Sequence, residues 1–388
     1  MSIANKFRLI LSARFAAALP VAAVILVSAV ACTGCLTSGG AAKDTSRDYS
    51  VTVLGDIHYD APPLERFHAP NRPGHFKCNT DMWELDMPSI LAASASLVGP
   101  DTSFALQLGD IIDGVTKGSN EASFNAHTQM LAEATAILEK TYTNLPVISV
   151  CGNHDYVGGW RKAYAAFMVP WLARQVAPLT TNALTTTTFG FRHGPDLWVF
   201  INYNEGEATV PILERLLADN PDVRYTFVAL HGPVLPMDMF KFRWFYLGEE
   251  RQNKARRKVR ALLAKRNAIV LAGHVHSLEC KEWVGDGGRI TEMVVNSVSR
   301  YGTSIKKPPY PRVFSETPDD YGAWLKDIKK NDEQVKFDAL YEEYRPGLKK
   351  RYGAWAFGHY VLRVSDSGVA MEFYGSDARE PSKVFQLR

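Results

Sequence analysis

One rhythm constrains this chain more than any other feature. Five times a short apolar run stops and, at once or one residue later, gives way to a small polar cluster. The clusters are Gly55-Asp56-Ile57-His58, Gly109-Asp110-Ile111-Ile112-Asp113, Gly152-Asn153-His154-Asp155, His231-Gly232 and Gly273-His274-Val275-His276. The runs before them lie at 51–54, 104–108, 147–150, 225–230 and 268–272, with a sixth at 198–201. Short continuous apolar runs rich in β-branched and aromatic residues predict strands buried on both faces. Helical patterns fall between them at 87–97, 122–142, 160–175, 210–218 and 249–265. This alternation predicts an α/β domain with a largely parallel sheet. Towards the end, 289–298, 359–364 and 369–374 read as antiparallel strands, the last two joined by a turn at Ser365-Asp366-Ser367-Gly368.

In open α/β sheets the loops beyond the carboxyl ends of the strands line the ligand site. Five of the ten histidines thus converge on one edge, with four acids and an amide. Oxygen and imidazole donors without thiolates suit Mn, Fe, Zn or Co. The Asp56-x-His58 and His274-x-His276 spacings put both side chains of an extended pair on one side. A carboxylate such as Asp110 can bridge two ions, and two ions about 3.5–4 Å apart can clamp the attacking and leaving oxygens of an in-line displacement. A hydroxide held between them is the expected nucleophile, and phosphate esters are the expected substrates. Any one cluster alone would be an ordinary strand-end turn. Five in this order define a metal site.

The ordered pattern D-x-H, G-D-x-x-D, G-N-H-D, a lone His and G-H-x-H resembles the calcineurin-like metallophosphoesterase family. The match runs from about residue 50 to 374, apart from the segment at about 302–352. The resemblance implies two packed mixed β-sheets flanked by helices and a dinuclear centre of divalent ions (Mn, Fe or Zn). It implies that Asp56, His58 and His276 hold one ion, that Asn153, His231 and His274 hold the other, and that Asp110 bridges. It further implies that His154 contacts the scissile phosphate and assists the leaving group, with Asp113 orienting it. Two ligand carboxylates against about four positive charges would leave a surplus that favours an anionic phosphoester. Purple acid phosphatases differ in having Tyr where Asp113 stands. The Asp56-x-His58, Gly152–Asp155 and Gly273–His276 set looks like the bacterial cyclic-nucleotide phosphodiesterase branch. The stretch 106–114 is also similar to manganese-dependent ADP-ribose/CDP-alcohol diphosphatases, which have Gln at the place of His58. The alternatives are therefore a phosphodiesterase or phosphomonoesterase, a nucleoside-diphosphate-X pyrophosphatase, and a non-catalytic metal-binding scaffold. An H-E-x-x-H metalloprotease motif is absent from the sequence.

The amino terminus reads as an export signal over residues 1–35. Lys6, Arg8 and Arg14 precede the apolar run 15–31, which ends Ala29-Val30-Ala31-Cys32. Cleavage fits its 17 residues better than a retained span, and the small residues before Cys32 resemble a bacterial lipobox that would place a lipid anchor there. Residues 36–48 read as a flexible tether, and 49–388 as the phosphoesterase domain. The expected location is periplasmic or cell-envelope, and the expected partners are a small-molecule or lipid-headgroup phosphoester and a membrane. Without the three leader cations, 41 basic residues balance 41 acidic ones, so specific nucleic-acid binding is not expected.

Four further features remain. The basic stretch 249–266 reads as an amphipathic helix with Val259, Leu262 and Leu263 inward and a solvated charged face. The charged 302–352 insertion puts Phe337, Leu340, Tyr341, Tyr344 and Leu348 on one helical face, as packing or as a lid. Cys78 and Cys280 could pair in an oxidising compartment. Tyr59, Asp60, Tyr156, His68 and His75 adjoin the motif loops, where packing is the plainer reading.

Overall fold

A computed structural model describes residues 47–60, 73–114, 120–181, 183–236, 245–298, 311–318 and 339–388. The leader, Cys32, the tether up to residue 46, His68 and Phe337 lie outside them, and the side chains of His75 and Cys78 are likewise not described.

The strands are β1 (Tyr49–Leu54), β2 (Thr102–Gln107), β3 (Val147–Ser149), β4 (Phe189–His193), β5 (Asp196–Ile201), β6 (Thr226–Leu230) and β7 (Ile269–Ala272). They continue with β8 (Leu278–Gly285), β9 (Gly288–Val294), β10 (Arg312–Ser315), β11 (Leu348–Trp355), β12 (Gly358–Ser365), β13 (Gly368–Gly375) and β14 (Lys383–Gln386). The helices are α1 (Pro73–Leu85), α2 (Met87–Ser96), α3 (Glu121–Thr141), α4 (Arg161–Val176), α5 (Val210–Ala218) and α6 (Asn253–Lys265).

Strand–helix alternation alone suggested one largely parallel sheet. Among the described residues there are two, ordered β14-β13-β12-β1-β2-β3 and β10-β11-β8-β9-β7-β6-β5-β4. Each has a parallel block: β1-β2-β3 at one end of the first, with antiparallel strands added beyond β1, and β5-β6-β7-β9 in the middle of the second, with antiparallel strands on both sides. The fold is two mixed β-sheets flanked by helices. Strand β9, expected to be antiparallel, pairs parallel with β7 and antiparallel with β8.

Alternation along β5 shows why these runs are apolar throughout. Trp198 and Phe200 face the other sheet, where Trp198 meets Phe104 of β2 at 5.0 Å between ring centroids. Leu197, Val199 and Ile201 face outward onto Leu213 and Leu217 of α5 and Leu263 of α6. A strand covered on both sides has no polar face to show.

Three expectations need correction. The 302–352 segment is not simply helical. Its described part includes β10, a helical stretch at 339–344 and the start of β11. The turn Arg345–Gly347, with Pro346 inside it, ends the helix, so Leu348 opens a strand instead of continuing the face of Tyr341 and Tyr344. Nor is α6 charged only on its solvent side. Val259 and Leu263 are buried as expected, but so is Arg256, which donates to Asn253, Glu343 and the Tyr344 hydroxyl. Cys151 and Cys280 are free thiols, so the pairing considered for Cys280 is not made.

Candidate metal centre

The five clusters leave the carboxyl ends of β1, β2 and β3 in one sheet and of β6 and β7 in the other. Within each half, backbone hydrogen bonds tie neighbouring clusters together: the Ile57 and His58 amides both donate to the Asp110 carbonyl, and the Gly273 amide donates to the His231 carbonyl. Across the seam, the Val298 amide beyond β9 donates to the Asp56 carbonyl. Asp56 and Asp110 are buried, as are His58, His231 and His274.

The donors converge. Asp56 Oδ2 lies 2.8 Å from His276 Nε2, which lies 3.1 Å from His58 Nε2. Across the site, His231 Nε2 is 3.1 Å from Asp110 Oδ2, 3.2 Å from Asn153 Oδ1 and 3.0 Å from His274 Nδ1. Among the described residues, three sets have ligand atoms within 4.8 Å of one another: Asp56-His58-Asp110-His276, Asp110-His231-His274 and His58-Asp113-His154. The first two share Asp110.

This donor set fits cations. His231 Nδ1 donates to the Leu108 carbonyl at 2.7 Å, which turns Nε2 toward three groups that all offer lone pairs. One proton on Nε2 cannot serve three acceptors, whereas a cation can. A backbone carbonyl behind an imidazole is the usual device for orienting a metal-binding histidine. Two of the imidazoles are already neutral: burial and the neighbouring His154 hold His58 down at about 4, and burial and His231 hold His274 well below its ordinary value. Burial lowers His231 too, but Asp110 and Asp56 overcome it and push it up to about 9, so a cation bound there would take the place of its proton. Burial would raise Asp56 and Asp110, but the surrounding histidines outweigh it and keep both carboxyls low. Neutral imidazoles beside ionised carboxylates are what divalent ions require.

Backbone strain gathers at the same place. His58, Asp110, His274 and His276 all have positive φ, between 41° and 74°. Such conformations cost free energy in non-glycine residues and persist where the surroundings dictate them, most often at functional sites. Gly109, at φ 91°, is required on two counts, because a Cβ there would lie 2.5 Å from His231 Nδ1.

His154 is joined to the centre through its backbone, its amide donating to Asp110 Oδ1 at 2.8 Å. Its Nδ1 lies 2.9 Å from the Asp113 carbonyl and 3.1 Å from Asp113 Oδ1. Burial lowers this imidazole, but Asp110 and Asp113 overcome that and push it up to about 10. The last acid of the third cluster acts differently. Asp155 is fully buried and accepts from the Gly152 and Ile112 amides, bracing the turn that carries Asn153. Tyr59 and Tyr156 pack into the protein, Tyr59 donating to Glu133 and Tyr156 accepting from Asn202.

Sequence patterns missed Tyr203. It follows β5, belongs to no motif, and lays its ring against His231 and His274 at 5.5 and 5.9 Å. Its neighbour Asn204 donates to the Gly152 carbonyl. The only sequence signal was position: β5 ends beside β6, so the residues after it had to reach the same edge.

A two-sheet sandwich with an Asp/His/Asn cluster across its strand ends defines a metal-site phosphoesterase scaffold. The chain belongs to the calcineurin-like phosphoesterase family, whose model matches residues 49–278. No curated protein sequence matches it. Among solved structures it is similar to PhoD, with 9% identity, 87% of this chain and 68% of that one covered, and a TM-score of 0.47. It is also similar to GAP50, the anchor in the inner membrane complex of Plasmodium, with 12% identity, coverage of 88% and 89%, and a TM-score of 0.44. A third is a putative 5'-nucleotidase from Staphylococcus aureus, with 13% identity, coverage of 76% and 58%, and a TM-score of 0.30.

Proposed function

We propose that the protein is a dinuclear metal-dependent phosphoesterase that hydrolyses phosphodiester or phosphomonoester bonds. One observation carries this reading: two candidate ligand sets meet at a single carboxylate, Asp110. In it Asp56, His58 and His276 hold one ion, Asn153, His231 and His274 hold the other, and Asp110 serves both. Two divalent ions there would supply Lewis acidity and a nucleophile at neutral pH.

The chain's own groups supply the rest. Asp113 engages His154 Nδ1 through both its carbonyl and its carboxylate, which fixes the ring and favours its charged form. Nε2 then carries the proton to the departing oxygen. The bond from the His154 amide to Asp110 sets the distance between proton donor and metal centre. His58 sits within a ligand set, which supports a simple phosphoester over the diphosphatase alternative.

Export belongs to the same proposal. The basic, apolar and small-residue leader supports a mature protein in the cell envelope, anchored through a lipid on Cys32, acting on external small-molecule or headgroup phosphoesters. The mass of the mature amino terminus tests the anchor. The activity test is hydrolysis of bis-p-nitrophenyl phosphate by the chain from residue 36 onward, chelated and then given manganese. Turnover that disappears in Asp110→Asn is the expected result. Absence of turnover in metal-loaded protein, on this diester and on p-nitrophenyl phosphate, would overturn it.

A further inference from the structure

Tyr203 stands against one half of the metal centre only. Its ring leans on His231 at 54° and on His274 at 49°. Its hydroxyl lies 3.5 Å from Asn153 Oδ1, close enough for a long hydrogen bond donated to the amide oxygen. These are the three side chains assigned above to the second ion. The ring and hydrogen-bond contacts described for Tyr203 do not extend to Asp56, His58 or His276.

The surroundings are shaped to hold the ring. The backbone of Gly232, next to His231, approaches so closely that a Cβ there would lie 2.9 Å from the Tyr203 ring. On the other side, Asn202 caps the turn by accepting from the Asn204 amide, and Asn204 donates to the Gly152 carbonyl. The residues before and after Tyr203 are therefore pinned, one to its own turn and one to the loop carrying Asn153.

We propose that Tyr203 is a positioning residue for the second ion, orienting Asn153 through its hydroxyl and wedging His231 and His274 with its ring. The inference rests on the dinuclear reading. Its physical basis is plain. The His231 ring is aligned by its bond to the Leu108 carbonyl, and the His274 ring meets it at 4.7 Å and 61°. A bulky ring in contact with both removes the freedom to rotate. A hydroxyl donated to Asn153 Oδ1 decides which end of the amide faces the centre, and leaves the second lone pair of that oxygen for the ion. Partners behind metal ligands are commonly worth 10–100-fold in metal affinity.

The test is a calorimetric titration of metal-stripped full-length protein with Mn2+ alone, read as two binding steps. Tyr203→Phe keeps the ring and loses the hydroxyl, while Tyr203→Leu loses both. Asn153→Ala marks which step belongs to the second ion. The expected result is about a 10-fold weaker second step in Tyr203→Phe and a larger loss in Tyr203→Leu. The first step should stay within about twofold of wild type. Loss of the exchange-coupled electron paramagnetic resonance signal of a Mn2+ pair in Tyr203→Leu would report the same thing without activity. Equal weakening of both steps, or weakening of a step that Asn153→Ala leaves alone, would overturn the proposal. So would two unchanged steps in both variants, with the dinuclear reading intact. A wild type that binds fewer than two ions would overturn that reading, and the proposal with it.

Discussion

Replacing Gly152 by alanine tests the centre most directly, because the place of its side chain is already taken. A Cβ on Gly152 would lie 2.1 Å from both the amide nitrogen and Oδ1 of Asp110, where real contacts do not fall below 3.0 Å. Something must therefore move by ~1 Å, and each side is tied down. Gly152 is held by Asp155 at its amide and by Asn204 at its carbonyl, while Asp110 receives the Ile57 and His58 amides on its own carbonyl. Overpacking of this kind costs about 1–3 kcal/mol of stability. If Asp110 serves two ions as proposed, displacing it by ~1 Å is expected to cost about 100-fold in turnover. It should also weaken both Mn2+ steps together, unlike the Tyr203 variants. The assay pairs Mn2+ calorimetry and phosphodiester turnover with urea unfolding. Gly287→Ala is the control, since Gly287 has φ 82° and nothing within 4 Å of a Cβ. It should lose about 1–2 kcal/mol to backbone strain and keep the site intact. A folded Gly152→Ala protein with wild-type metal affinity and turnover would refute the reasoning, as would equal site damage in Gly287→Ala.

Two other predictions concern a buried charge cluster behind the His231 loop. Lys281 pairs with Glu292 at 3.1 Å and reaches the Leu235 and Pro236 carbonyls, while Glu292 accepts from the Val234 and Leu235 amides. Lys281→Met strands two buried carboxylates and should cost about 3–5 kcal/mol in urea unfolding at unchanged m-value, and a loss under about 1 kcal/mol would contradict this. Glu279 is pushed up to about 7 by burial, against the opposing pull of Lys281. Between pH about 4.5 and 7 the unfolded chain releases a proton that the native carboxyl retains, so this contribution is complete below that window and lost as pH rises through it. Stability should fall by up to about 3 kcal/mol across the window on this account, and Glu279→Gln should flatten the profile. An unchanged slope in the variant would remove Glu279 as its source.

What the sequence determined is local. A strand must end where the chain turns polar, and a run buried on both faces must be apolar throughout. The five strand-end clusters, the boundaries of α5 at Val210–Ala218 and the hairpin of β12 and β13 were therefore legible residue by residue. So were the donor types, oxygen and imidazole without thiolate, that point to Mn, Fe, Zn or Co. What the tertiary structure decided is everything that depends on pairing between distant segments. Nothing in the alternation of strands and helices says that β1–β3 and β5–β7 belong to different sheets, because both orders present the same periodicity. The positive φ of His58, Asp110, His274 and His276 leaves no mark in sequence, since any L-residue prefers to avoid it and only the surrounding fold compels it. Glu279 and Lys281 are charged residues, yet both are buried on the face of β8 that also carries Trp283. Tyr203 is one aromatic residue among many until β5 is placed beside β6. Only then does its ring come to rest on two imidazoles drawn from different strands.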